Sequence, residues 1–259
     1  LEEDQPQLRK VSLSSIRARF AILRRLNEGM LTLLPWIDLS GATSLAHSFA
    51  AEVFANRGLL FYDTKMRFFN QVLDQTATGK ESPSLRVDRV NDKTPVFLQL
   101  FSQLRDVNPL LLRQKQRAFK VQLKNERVEG DLGPYREVLS QICMELESPL
   151  VSLLIPCPNK QLASQTIGVG ENRDKYVLKP SAGSPNAMAM FELLGRLIGI
   201  AIRTKNPLNL DLPAFFWKPL VGEQIDRRDL AAIDHCVTQS WTAIQDMDQA
   251  TFDASVFET

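Results

Sequence analysis

The chain has 259 residues, of which 44% are hydrophobic, 24% charged and 8% aromatic. That ordinary globular balance excludes collagen-like, low-complexity and wholly disordered architectures. Lysines and arginines (31) and carboxylates (30) nearly cancel to a formal charge of +1, so no net field draws the chain to nucleic acid or membrane. At ~150 residues per domain, the length holds one large domain or two modest ones. Three cysteines without a C-x-x-C pair argue against a disulfide framework and for a reducing, cytoplasmic setting. No unbroken apolar run reaches the ~18 residues of a membrane span; Leu193–Ile202 comes nearest and is interrupted by Arg196 and two glycines. Leu1 is followed by Glu2, Glu3 and Asp4, so no signal peptide is expected, and the chain reads as part of something longer.

Helix is predicted first. Ser14 or Ser15 can cap a helix whose stripe is Ile16, Phe20, Leu23, Leu26, Met30 and Leu34, ending at Pro35. A second helix is predicted from Thr43 through Leu45, Phe49 and Val53 to the breaker Asn56–Gly58. A third follows Asp63 or Thr64, carrying Met66, Phe69, Val72 and Leu73. After the polar loop from Thr78 to Pro83, a fourth begins near Pro95 with Phe97, Leu98, Phe101 and Leu104 inward.

Beyond Pro109 the character changes. Residues 118–123 alternate apolar and polar, as a half-buried strand does. The turn Glu129–Pro134 leads a helix to about Glu147, with Glu137 placed in its first turn. Val151–Ile155 and Tyr176–Leu178 read as strands flanking a glycine-rich loop, Gly168–Asn172. Another helix runs from about Asn186 to Arg203, followed by short helices at Pro213–Leu220, Asp226–Asp234 and Thr238–Met247. The fold class is α+β, predominantly α-helical. No repeat recurs at a fixed period.

The search for chemistry yields little. Cys143 sits near an apolar helix face, and Cys157 lies in Pro156-Cys157-Pro158, read as an extended segment without a helix N-terminus. Cys236 follows His235, but neighbours on a helix diverge by ~100° and do not face each other. His47, on an apolar helix, and His235 are the only histidines, and neither has metal-ligand spacing around it. The loop at Gly168 and Gly170 lacks the pattern of a phosphate cradle. The segment Arg113–Arg127 is basic, yet its single aromatic, Phe119, gives nucleic acid no stacking platform. It reads as a solvated strand face or a docking surface for an acidic partner segment. Gly195 and Gly199, one turn apart, each cost ~1 kcal/mol in a helix, which predicts a second backbone packed closely against them.

Two blocks carry a family resemblance. Phe119-Lys120-Val121 followed by Gly130, Asp131, Gly133, Arg136 and Glu137 resembles the strand, glycine turn and Arg-Glu helix that open the catalytic domain of HECT-type ubiquitin ligases. Phe191, Gly195, Arg196 and Gly199 resemble that family's most distinctive helix. Leu208-Asn209-Leu210, then the stretch around Trp217, stand in the family's order. The leader, notably Leu110–Arg113, is most similar to the large HERC subfamily. Pro134 stands where the family has the second glycine of a pair, so the turn there differs.

The resemblance implies a helical leader over 1–109 and an incomplete large subdomain of a HECT amino-terminal lobe over 110–259. It implies as partners a ubiquitin-conjugating enzyme and ubiquitin, which passes through a cysteine thioester to a substrate lysine. No cofactor or metal is implied. The family's acceptor cysteine lies in a Thr-Cys motif of a second lobe and matches none of Cys143, Cys157 or Cys236, so the fragment is expected to be inactive alone. The alternatives are a non-enzymatic helical interaction module and, more distantly, a hydrolase built on Cys236 and His235.

Overall fold

The computed structural model describes residues 11–39, 47–90, 93–124, 126, 132–164 and 170–248. Packing divides the chain into two compact units, between Ala77 and Thr78.

In the first unit, α1 (Leu13–Leu33) is capped by Ser12, whose hydroxyl accepts from the Ser15 N–H at 3.2 Å, so Ser14 and Ser15 belong to the first turn. The inner stripe differs from the expected one: Ile16, Phe20 and Leu26 are 39%, 58% and 40% exposed, whereas Asn27 is 3% exposed. Asn27 turns inward because its amide bonds backbone groups that the loop before α3 leaves open. Its Nδ2 donates to the carbonyls of Leu23 (2.8 Å) and Leu59 (3.0 Å), and its Oδ1 accepts from the Phe61 N–H at 2.7 Å. Phe20 stacks on Phe61 beside it. α2 (Phe49–Ala55), capped by Ser48, begins later than the predicted helix, whose start at Thr43 lies outside the described residues. α3 spans Tyr62–Gln75.

The second unit holds the main core. β1 (Ser84–Val87) pairs in parallel with β2 (Lys120–Leu123), Leu85 opposite Val121 and Val87 opposite Leu123. The strand β1 corrects the reading of 1–109 as wholly helical. The segment 78–109 belongs to the same compact unit as the residues after Pro109, so the compositional change at Pro109 falls inside this unit. α4 (Val96–Leu104) covers β1 and closes its edge with two glutamines one turn apart. Gln103 exchanges hydrogen bonds with the Arg86 N–H and C=O at 3.0 and 2.9 Å, and Gln99 does the same with Asp88 at 2.9 and 2.8 Å. A side chain thus takes the place of a missing strand.

α5 (Leu132–Leu146) buries Tyr135, Val138, Ile142 and Leu146 against Phe97, Leu100 and Phe119. Its Glu145, 6% exposed, accepts the Val96 and Phe97 N–H groups at 2.9 and 2.8 Å. Pro95 offers α4 no side-chain cap, so a carboxylate from the neighbouring helix bonds its first donors. β3 (Leu154–Pro156) pairs antiparallel with β4 (Tyr176–Leu178), and α6 (Pro158–Ala163), absent from the sequence-based expectation, comes directly after β3. α7 (Pro185–Thr204), α8 (Ala214–Leu220), α9 (Arg227–Ala231) and α10 (His235–Gln245) complete the order.

Among the described residues, α7 is the one helix long and apolar enough to cross a membrane by length and composition. Counting unbroken apolar residues misses it because Arg196 interrupts the run. It reads as a core helix, since Leu193, Leu194, Leu197 and Ile200 are buried in the main cluster. Gly195 and Gly199 lie away from that buried face, which corrects the expectation of close packing: a Cβ at either meets no atom within 4 Å.

These contacts set measurable stabilities. Gly195→Ala and Gly199→Ala should each stabilise the chain by about 1 kcal/mol, read as a raised melting temperature. A fall in either variant would contradict the open surroundings. Glu145→Ala should cost about 3 kcal/mol in denaturant unfolding by stranding two buried donors. The exposed Glu137→Ala should stay within about 0.5 kcal/mol.

Candidate functional site

Two of the three thiols are shut away from substrate. Cys143 is buried in α5, and burial pushes its thiol up to about 11, although the Asn209 backbone N–H pulls the other way. Cys157 has the extended backbone expected of it (φ −64°, ψ 158°), but it is the N-cap of α6, which corrects the expectation that no helix N-terminus lies there. Its thiol nevertheless donates to the Asn172 carbonyl at 3.2 Å and is wholly buried, so it does not face a substrate. Cys236 is exposed in the first turn of α10, which begins three residues earlier than expected. His235 precedes it on the helix and diverges from it, so the pair does not form a dyad. His47 lies before α2 in left-handed backbone (φ 63°), off the helix where it was expected. Among the described residues no group of three or more His, Cys, Asp or Glu side chains could hold a metal ion.

The polar centre of this region is Asn159, whose side chain is wholly buried. Its Nδ2 donates to the carbonyls of Glu171 (3.0 Å), Ala232 (3.1 Å) and Ala231 (3.3 Å). Its Oδ1 accepts from the His235 N–H at 2.8 Å, and its own N–H donates to the Ile233 carbonyl at 3.0 Å. One residue therefore closes the end of α9, opens α10 and fixes the loop at Gly170. A Cβ on Gly170 would stand 2.8 Å from Asn159 Nδ2, and its φ of 104° favours glycine as well. The glycine-rich segment is thus packed at Gly170, while Gly168 lies outside the described residues.

The signature residues distribute over the second unit and do not converge on one centre. Gly130 and Asp131 lie outside the described residues. Gly133 sits in the first turn of α5 with open space around it. Arg136 Nε donates to Asn206 Oδ1 at 3.3 Å. Glu137 falls beyond the first turn and pairs with Arg89, which also grips Glu126. That pairing raises Arg89 and lowers Glu126, the hydrogen bond between them being the main cause. Phe191 is half-buried against the core, and Arg196 holds Glu192 at 2.6 Å. Trp217, 39% exposed, meets Phe216 edge-on and lines an apolar groove of about 400 Å³ with Ile198, Ile202 and Leu210.

A larger groove of about 690 Å³ runs between α8, α9 and α10, lined by Phe215, Ile225, Leu230, Trp241 and Ile244. The short α9 at its wall has a full capping box, Asp226 with Asp229. Asp229 also holds Lys218 of α8 at 2.6 Å, which lowers the carboxyl and raises the amine. This surface offers binding area rather than a reacting group.

Comparison with known proteins gives the surfaces a context. Residues 141–258 match the family model described as the HECT-domain (ubiquitin-transferase). The chain is 35% identical over 247 residues to a human protein named probable E3 ubiquitin-protein ligase HECTD4, and 32% identical over 246 residues to human E3 ubiquitin-protein ligase HERC2. Mouse E3 ubiquitin-protein ligase HUWE1 is 22% identical over 228 residues. Each match covers 88% of this chain, but only 6% of HECTD4 and 5% of HERC2 and HUWE1. The domain match over residues 141–258 and the similarity over most of the chain relate it to the HECT ubiquitin ligases, HERC2 among them.

Proposed function

We propose that this chain forms the structural body of a HECT-type ubiquitin-protein ligase whose thioester cysteine is supplied from outside these 259 residues. The homology to ubiquitin ligases carries the reading, and the thiol geometry supports its second half. In the proposed reaction an acceptor thiolate attacks the thioester carbonyl of the charged conjugating enzyme, whose own thiolate leaves. A substrate amine then attacks the new thioester and releases the acceptor. Such a thiol must be exposed and ionisable. Cys143 and Cys157 are buried, and Cys236 stands on a helix with its neighbouring imidazole turned away. The reaction moves an acyl group between sulfur and nitrogen and calls for no cofactor. Its partners are the conjugating enzyme and ubiquitin, and its setting is cytoplasmic. An isolated helical interaction module accounts for the exposed grooves but not for the ligase homology.

Incubation with activating enzyme, charged conjugating enzyme and ubiquitin tests this on a non-reducing gel. The chain alone should form no reductant-sensitive adduct, while native alkylation at about pH 8 should modify Cys236 and spare the other two. The full-length protein should form the adduct and keep it in Cys236→Ala. An adduct on the isolated chain that disappears in Cys236→Ala would overturn the proposal.

A further inference from the structure

Two recesses meet where α7 ends. Lys205, its C-cap, has left-handed backbone (φ 56°), and the chain turns there through Asn206 to Pro207. Lys205 and Pro207 line both recesses, which therefore form one continuous surface. On one side is the apolar groove at Trp217, in which Ile202 is 52% exposed. On the other is a recess of about 310 Å³ between Arg136 of α5, Leu139 and Asn206. Asn206 is buried and fixed: its Nδ2 donates to the Thr204 carbonyl and hydroxyl at 3.1 and 3.2 Å, and its Oδ1 accepts from Arg136 Nε. A neutral amide thus orients the guanidinium without cancelling its charge. Arg136 and Lys205 are both exposed, and among the described residues neither is in an ion pair. By contrast, Lys120 and Lys124 of the basic segment hold Glu81 (3.1 Å) and Asp88 (3.4 Å), and Lys218 holds Asp229.

We propose that this double recess docks an acidic peptide segment of a partner protein, seating aliphatic side chains against Trp217 and neighbouring carboxylates on Arg136 and Lys205. Charge complementarity selects the occupant's sign: two cations without a carboxylate of their own flank one recess, and a guanidinium suits carboxylates in particular. The Thr204 carbonyl, which would repel an anion at the end of α7, already accepts from Asn206. The adjoining groove selects a peptide over a free anion, because only a peptide brings apolar and charged groups to both recesses at once. An exposed tryptophan with aliphatic neighbours is also the kind of wall on which binding energy concentrates. The site holds no reacting group and is independent of the thioester chemistry.

The test uses the 259-residue chain and a fluorescently labelled Leu-Leu-Ser-Glu-Glu peptide with an amidated carboxyl terminus, read by anisotropy. Saturable binding is expected, weakened about tenfold by Arg136→Ala, by Lys205→Gly or by Trp217→Ala. Replacing the peptide's leucines by glycines, or its glutamates by glutamines, should weaken it as much. Lys205→Gly removes a charge where the left-handed backbone favours glycine, so its melting temperature should hold or rise while binding falls. That variant keeps the test valid if Arg136→Ala or Trp217→Ala unfolds. Lys124→Ala should leave binding within about twofold. Absent saturable binding, no loss in Lys205→Gly, or an equal loss in Lys124→Ala would overturn the proposal. Displacement by inorganic phosphate with no dependence on the leucines would show a plain anion site and overturn it too. So would a dimer, seen by light scattering, that Lys205→Gly dissolves, because a second copy would then be the occupant.

Discussion

The amide of Asn159 is the constraint on which the far half of the second unit depends. A helix ends with carbonyls and begins with N–H groups that it cannot satisfy itself. α9 has only five residues and would not persist on its own propensity. Asn159 accepts the first N–H of α10 and donates to the last carbonyls of α9, and Asn172 adds a further bond to Ala232 at 3.0 Å. Both helices are thereby tied to α6 and to the β3–β4 pair. That tie joins the walls of the groove bearing Trp241 and Ile244, together with Arg227 of α9, which donates to the Thr238 carbonyl and the Thr242 hydroxyl of α10 at 3.2 and 2.7 Å.

The same device recurs through the chain. Asn27 joins α1 to the entry of α3, Glu145 caps α4 from α5, and Gln99 with Gln103 completes the edge of β1. In each case a polar side chain from one element bonds the backbone of another that its own sequence leaves open. Removing such a partner costs more than the bond itself, because the stranded group is out of reach of water. The apolar core sets which faces meet, and these polar contacts set the register at which they stop.

That division explains which elements are legible in the sequence. β4 coincides with its predicted span, and α5 and α7 differ from theirs by one or two residues, because long apolar periodicity is written locally. β1 escapes sequence reading: Ser84-Leu85-Arg86-Val87 alternates at every position but is only four residues long, and its partner β2 lies more than thirty residues away. α6 escapes it because Pro156-Cys157-Pro158 suggests extension, although Pro158 at the first helical position is a helix start. Asn27 is hidden because hydropathy favours Leu26 for the inside, and only Leu59 and Phe61 show why an amide belongs there. For Gly195 and Gly199 the packing inference is wrong, since composition does not reveal which side of a helix meets the core. The recess at Lys205 is half legible: Arg136 stands out in the sequence, but its meeting with the end of α7 is a fact of the fold.

Functionally, the described residues present surfaces rather than a reaction centre, in keeping with the role proposed for the chain. The decisive quantity is therefore how firmly Asn159 holds α9 and α10. Native-state hydrogen exchange of the intact chain and of Asn159→Ala measures it directly. Protection should fall at residues 170–172 and 231–245, by a factor of about thirty or more, while β1, α4 and α5 keep theirs. Unchanged protection at His235 and its neighbours, or an equal loss throughout the second unit, would contradict the account.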